Sequence, residues 1–297
     1  MTSPRRSARP ASRWMGLAFV CAAIAAPEAA RAQPADLFFE RMVMSAVDDR
    51  CNLFTPGVSA ALAAGAAQAR GAALRAGSDT RTLDAVARDA RSRAARFACD
   101  GAPVTSAAAR VEDAFSAYQR VTRMTYRGDV SAWQADRGVG RTARWRLAQS
   151  ADFGSNRMVF GLAGREGASA LVAVANFADK RTPYAARLVM RDGGRTFGPY
   201  LPGATNQPLA RKLPPRSSTR AYMAEARAGA ETELLPKGAA SGWAFRFPAA
   251  AAQALAELDP REAIAVEFLF PGDRVRTAYV EVGDFAAGRA FLQVAAR

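Results

Sequence analysis

The side chains able to do chemistry in this chain are carboxylates, serines, tyrosines and three lysines, because the sequence contains no histidine. That absence removes Ser-His-Asp triads, Cys-His pairs, histidine general bases and histidine-ligated metals. Acid–base work would fall to carboxylates, which act as acids near neutral pH only when burial or a like charge raises their pKa. Asp192 in a Gly-Gly turn, Asp273 in a Pro-Gly turn and Asp284 at a helix start hold positions expected to keep them ionised and solvated. Glu267 is the exception in the strand region, set among Val266, Phe268, Leu269 and Phe270 with outward parity. Asp48-Asp49, Glu112-Asp113 and Glu231/Glu233 fall on exposed faces or loops. No residue is assigned to catalysis.

Motifs for cofactors and metals are equally sparse. GVGRTA at 138–143 has the G-x-G-x-x-A spacing of a dinucleotide loop, but alternating strand residues follow it where a helix is required. GASAL at 167–171 lacks the last glycine of a nucleophile elbow. Lys180, Lys212 and Lys237 stand outside any S-x-x-K context, and no calcium-loop pattern occurs. The expectation is no cofactor and no metal.

Cys21, Cys51 and Cys99 are the cysteines. The first lies in an N-terminal segment where MTSPRRSARPASR carries four arginines, an apolar run extends from Trp14 to Ala26, and Ala30-Arg31-Ala32 follows. A basic start, a short apolar stretch and an A-x-A site make up a secretory signal peptide. The apolar run spans about 20 Å as a helix, short of a bilayer core of about 30 Å. Cleavage after Ala32 is expected, leaving a periplasmic or secreted chain from Gln33 with no membrane span. Cys51 and Cys99 remain, and an even count in an exported protein predicts one disulfide.

Arginines outnumber lysines 38 to 3, and the formal net charge is +14. Compositional bias toward Arg and Ala explains such a balance. Attraction to an acidic polymer or an anionic lipid surface is the functional alternative. Nucleic acid is not expected, since the chain is exported and has no block of five consecutive basic residues.

The elements that must position these groups divide into two parts, a helical domain over 33–128 and a β-rich domain over 129–297. Four helices are predicted first: Asp36–Arg50; one opened by Thr55-Pro56 with Val58, Leu62, Ala66, Ala69 and Ala73; a third with Leu83, Val86, Ala90 and Phe97; and a fourth from Pro103, capped by Gly128. The third carries an arginine-rich face (Arg81, Arg88, Arg91, Arg93, Arg96). Beyond Gly128 the period falls to two. Ala143, Trp145 and Leu147 alternate, as do Met158, Phe160 and Leu162, and ASALVAVANF is apolar on both faces. ARLVMRDGGRTF predicts a Gly-Gly hairpin. Strands follow at 220–227, 242–247, 263–270 and 275–282, with Pro271-Gly272-Asp273 as a tight joint and helices at 249–258 and 284–294. The fold class is α+β: a four-helix bundle-like part, then a mostly antiparallel sandwich or barrel with a C-terminal helix. Pro199–Arg216 holds five prolines. It reads as a long loop, and Tyr200, Asn206, Arg211, Lys212 and Arg216 make it a candidate binding loop.

From Phe245 the chain reads FRFPAAAAQALAELDPREAIAVEFLFPGDRVRTAYVEVGDFAAGRAFL. This strand, short helix, hairpin and VGDFAAGRAFL-type helix resemble the C-terminal part of the exported β-domains called invasion-associated locus B, over about residues 243–292. The resemblance implies an exported all-β domain without catalytic residues. This chain departs from that family in having no cysteine pair in its β-region.

Together these readings describe an exported, non-catalytic binding or interaction module for an envelope polymer or protein partner. A histidine-independent hydrolase of an envelope polymer and a small-ligand carrier are the alternatives. Ionisable groups with perturbed pKa values in one cleft would favour the hydrolase, a dry cavity the carrier, and an exposed apolar patch the interaction module.

Overall fold

Small residues make the second helix the hub of the helical part. Helix α2 (Pro56–Arg75) buries Val58, Ala61, Leu62, Ala66, Ala69 and Ala73 on several sides at once. Alanine and glycine let neighbouring backbones approach closely, so α1 (Pro34–Cys51), α4 (Ala102–Arg120) and the C-terminal α6 (Phe285–Gln293) all pack on it. Helix α3 (Thr80–Ala94) lies against α1 and begins at Asp79, whose carboxylate accepts from Thr82 N–H at 2.8 Å. Cys51 and Cys99 are joined in a disulfide with Cα atoms 5.6 Å apart, so α1 is stapled to the segment after α3. The computed structural model describes residues 33–138, 140–165, 169–203 and 207–293. The signal peptide expected over residues 1–32, Val139 of the GVGRTA segment, Gly167-Ala168 of the GASAL segment and Asn206 lie outside these residues.

The fourth helix stops at Arg120, eight residues before the expected cap. Val121 turns extended, and Arg137, 2% exposed, donates to the carbonyls of Tyr118 and Val121 that a longer helix would have used. The chain then enters β1 (Arg123–Arg127), which pairs with β2 (Ala132–Asp136). The boundary expected at residue 128 thus falls inside the β1–β2 turn, and all described residues belong to one compact unit.

Two antiparallel sheets follow, as α+β patterning requires. The larger runs β1-β2-β3-β4-β5-β9-β8, with β3 Arg144–Phe153, β4 Asn156–Gly164, β5 Ala170–Asn176, β8 Ala226–Gly229 and β9 Trp243–Phe247. The smaller runs β11-β10-β6-β7, with β6 Ala185–Arg191, β7 Thr219–Met223, β10 Ala263–Phe270 and β11 Arg274–Glu281. Phe160, Leu171, Phe245 and Phe247 face Leu188, Val266, Phe268 and Val280 across the shared core, with Leu255 of α5 (Ala249–Ala256) and Phe285 and Phe291 of α6 at its side. β5 is two-faced as expected: Leu171, Ala173 and Ala175 enter this core, while Val172 and Val174 join a second cluster on the outer face.

Three expectations are corrected. Asp192-Gly193-Gly194 turns the chain, with Arg195 N–H bonded to Asp192 O, but no hairpin forms there. Neither glycine has the positive φ of a primed turn, and β6 is already paired on both sides, by β10 and by β7. Trp145 and Leu147 do not share a face, because a bulge between them sends Leu147 into the main core and Trp145 to the outer cluster. The strand expected over 220–227 is split, β7 ending in the small sheet and β8 starting in the large one. The Pro271–Asp273 joint is as expected, with positive φ at Gly272 and Asp273.

Candidate functional site

The proline-rich loop is a cover for the small sheet. Its 3₁₀ turn, Leu209–Lys212, packs on β10 and β11. Lys212 is 5% exposed, with Nζ 3.9 Å from Asp129 Oδ2. Tyr200 N–H donates to Glu262 Oε1 at 3.0 Å, and Arg216 stands 3.6 Å from Glu267. Arg211 is exposed. The structure therefore spreads these loop residues over several fold contacts and does not gather them on one surface. Asn206 is outside the described residues.

The carboxylates hold the larger surprise. Glu262 and Glu281 are fully buried, and Asp259, Glu267 and Asp284 nearly so. Each has a partner. Glu281 accepts from the backbone N–H groups of Asp129, Val130 and Ser131 at 2.6, 2.9 and 2.7 Å, filling the β1–β2 turn as a bound anion would. Glu262 takes Arg191 Nε at 2.7 Å and the N–H of Tyr200 and Asp259. Glu267 is held by Arg187 at 2.5 Å, and Asp259 by Arg261. Asp284, expected as a solvated helix cap, is instead 5% exposed and gripped by Arg75. The sequence shows these acids inside or beside apolar strands, yet their cations lie far along the chain, so the pairing carries no local signal.

A different cluster forms a cavity. Between α5, α6 and the ends of β3, β4, β5 and β9 lies a pocket of about 640 Å³. Arg146, Arg165, Arg246 and Arg289 line it with Ser169 and Gln293, and Glu225 is the one acid among its described lining residues. Leu162, Leu171, Phe247, Ala252 and Leu292 supply its apolar walls.

Local structure explains the convergence. Arg146 occupies the β3 bulge and donates to Gly138 O at 2.8 Å. Arg246 alternates with Phe245 and Phe247, which point into the core, so its own side chain points away from it. Gly288 lets α6 lie against β3, because a Cβ there would stand 2.5 Å from Leu147 Cδ1; the next residue, Arg289, then reaches the pocket. Glu225 lies 3.9 Å from Arg246. Among the described residues no carboxylate is within ion-pair distance of Arg146, Arg165 or Arg289. Such a site suits an oxyanion, since guanidinium forks match carboxylate and phosphate geometry. Sequence reading passed over these arginines because Arg146 and Arg246 look like outward members of a strand alternation, Arg165 like a loop charge and Arg289 like a solvated helix position.

Among the described residues no three His, Cys, Asp or Glu side chains are grouped to hold a metal ion, and no helix is long and apolar enough to cross a membrane. A half-buried apolar groove runs between α1 and α4 over Leu62, lined by Phe39, Val43, Val111 and Phe115. Comparison with known proteins gave no match: no family model, no curated protein and no solved structure aligns with this chain.

Proposed function

We propose that this chain is an exported, non-catalytic binding module whose arginine pocket takes an anionic group of an envelope component. One observation carries the reading. Arginines packed elsewhere have partners, carboxylates for Arg75, Arg187, Arg191 and Arg276 and backbone carbonyls for Arg41 and Arg137, whereas in the pocket Arg146 meets only the Gly138 carbonyl and neither Arg165 nor Arg289 has an ion-pair partner among the described residues. A concave cluster of guanidinium groups with one acid among its described lining residues suits a counter-ion from outside. The buried acids support the non-catalytic part, since each is held by arginine or backbone N–H rather than by a second acid. The leader-like N-terminus, the disulfide and the resemblance of residues 243–292 to exported β-domains support export.

The test is retention of the processed protein on immobilised dextran sulfate across a salt gradient. Arg246→Gln with Arg289→Gln should elute at clearly lower salt than the native protein and than a control lacking two α3 arginines, Arg88→Gln with Arg91→Gln. Equal elution of the pocket and α3 variants would defeat the reading.

A further inference from the structure

Resting on that reading, we infer that the group recognised by the pocket is a phosphate ester and not a carboxylate. The protein's own ion pairs set the scale. A carboxylate here takes one or two guanidinium groups: Arg75 holds both oxygens of Asp284 at 2.6 and 2.8 Å, Asp179 takes Arg276 with Arg181, and Glu267 takes Arg187 with Arg216. Among the described residues the pocket offers four guanidinium groups, from β3, β9, α6 and the segment after β4, and spends one, loosely, on Glu225. Three of these remain, more than the one or two that a carboxylate takes elsewhere in this protein. A phosphate monoester brings close to two charges near pH 7 and three terminal oxygens, enough acceptors for three forks.

Size and lining narrow the ligand further. A cavity of about 640 Å³ lies within the range of small-molecule sites, roughly 300–1,000 Å³. It fits one phosphorylated unit, with Leu162, Leu171, Phe247 and Leu292 against the neutral part of that unit. A sugar phosphate and the headgroup of a phospholipid share this chemistry.

The absence of histidine supplies a clean readout. The phosphate monoester gains its second charge near pH 6. The chain has no histidine and Cys51 and Cys99 are joined, so the charge that changes over that range is the phosphate's own. Affinity for a phosphate ester should therefore rise between pH 5 and 8, while affinity for a carboxylate stays flat.

Calorimetry of the processed protein with glucose 1-phosphate, dihexanoyl phosphatidic acid and glucuronate tests this at fixed ionic strength. At least one phosphate should bind about tenfold tighter than glucuronate, with affinity rising with pH. The better of the two phosphates identifies the source. Arg289→Gln should weaken that binding about tenfold, and Arg165→Gln, exposed beyond the end of β4, provides a second variant if the first disturbs α6. Glucuronate binding as tightly as the phosphates would overturn the phosphate inference while pocket-dependent retention on dextran sulfate still stood. Phosphate binding that is unchanged in both variants would overturn it as well.

Discussion

Arg75 and Asp284 meet in a two-pronged ion pair, Nη1 to Oδ1 at 2.6 Å and Nη2 to Oδ2 at 2.8 Å. Arg75 ends α2 and Asp284 immediately precedes α6, so the pair ties the helical hub to the helix that flanks the sheets. Asp284 is nearly buried, and removing its partner strands a charge. Arg75→Met should cost about 3 kcal/mol in urea unfolding. Gly71→Ala attacks the same joint from the other side, because its Cβ would collide with Asp284 Oδ1. Either variant unfolding within about 0.5 kcal/mol of the native protein would contradict this account.

Glu281 closes the β1–β2 turn from a strand of the opposite sheet. Glu281→Ala leaves the amides of Asp129, Val130 and Ser131 without their acceptor. A loss of about 3 kcal/mol is expected. Hydrogen exchange should accelerate at those three amides ahead of the rest of the sheet. Exchange that stays slow there would show that the carboxylate is not what holds the turn.

Much of the architecture is legible in the residues. Met158, Phe160 and Leu162 declare a strand by alternation, Pro271-Gly272-Asp273 a tight joint, and the spacing of Val58, Leu62, Ala66, Ala69 and Ala73 a buried helix face. The Cys51–Cys99 bond follows from there being two cysteines after the leader-like segment. Legibility fails where a distant element decides. β7 occupies the place that a return strand after Gly194 would take, and a bulge moves Trp145 to the other face from Leu147. The pocket is hidden for the same reason. Arg146, Arg246 and Arg289 each read locally as solvated, and only the packing of α6 on β3 through Gly288 brings them together.

Asp179 provides a pH test of the surface pairing. The side-chain hydrogen bonds from Arg276 are the main reason its pKa falls from 3.8 to about 2. A carboxylate with a lower pKa in the folded state adds stability that is complete above its unfolded pKa and lost as pH falls through the folded one. For Asp179 that window runs from about 4 down to about 2. Carboxyl carbon NMR should show the native midpoint near the lower value, and Arg276→Gln should return it toward 3.8. A native midpoint already at 3.8 would rule out the pairing in solution.

The central claim is that an anion is taken by the pocket and not by the general positive charge of the surface. Arginine Nε–Hε NMR distinguishes the two, because the chain carries a rival cluster at Arg81, Arg88 and Arg91 on the exposed face of α3. Titration with glucose 1-phosphate or dihexanoyl phosphatidic acid should shift Arg146, Arg165, Arg246 and Arg289 together along one saturating curve while the α3 arginines stay put. Shifts at the α3 arginines with the pocket resonances unmoved would contradict the account.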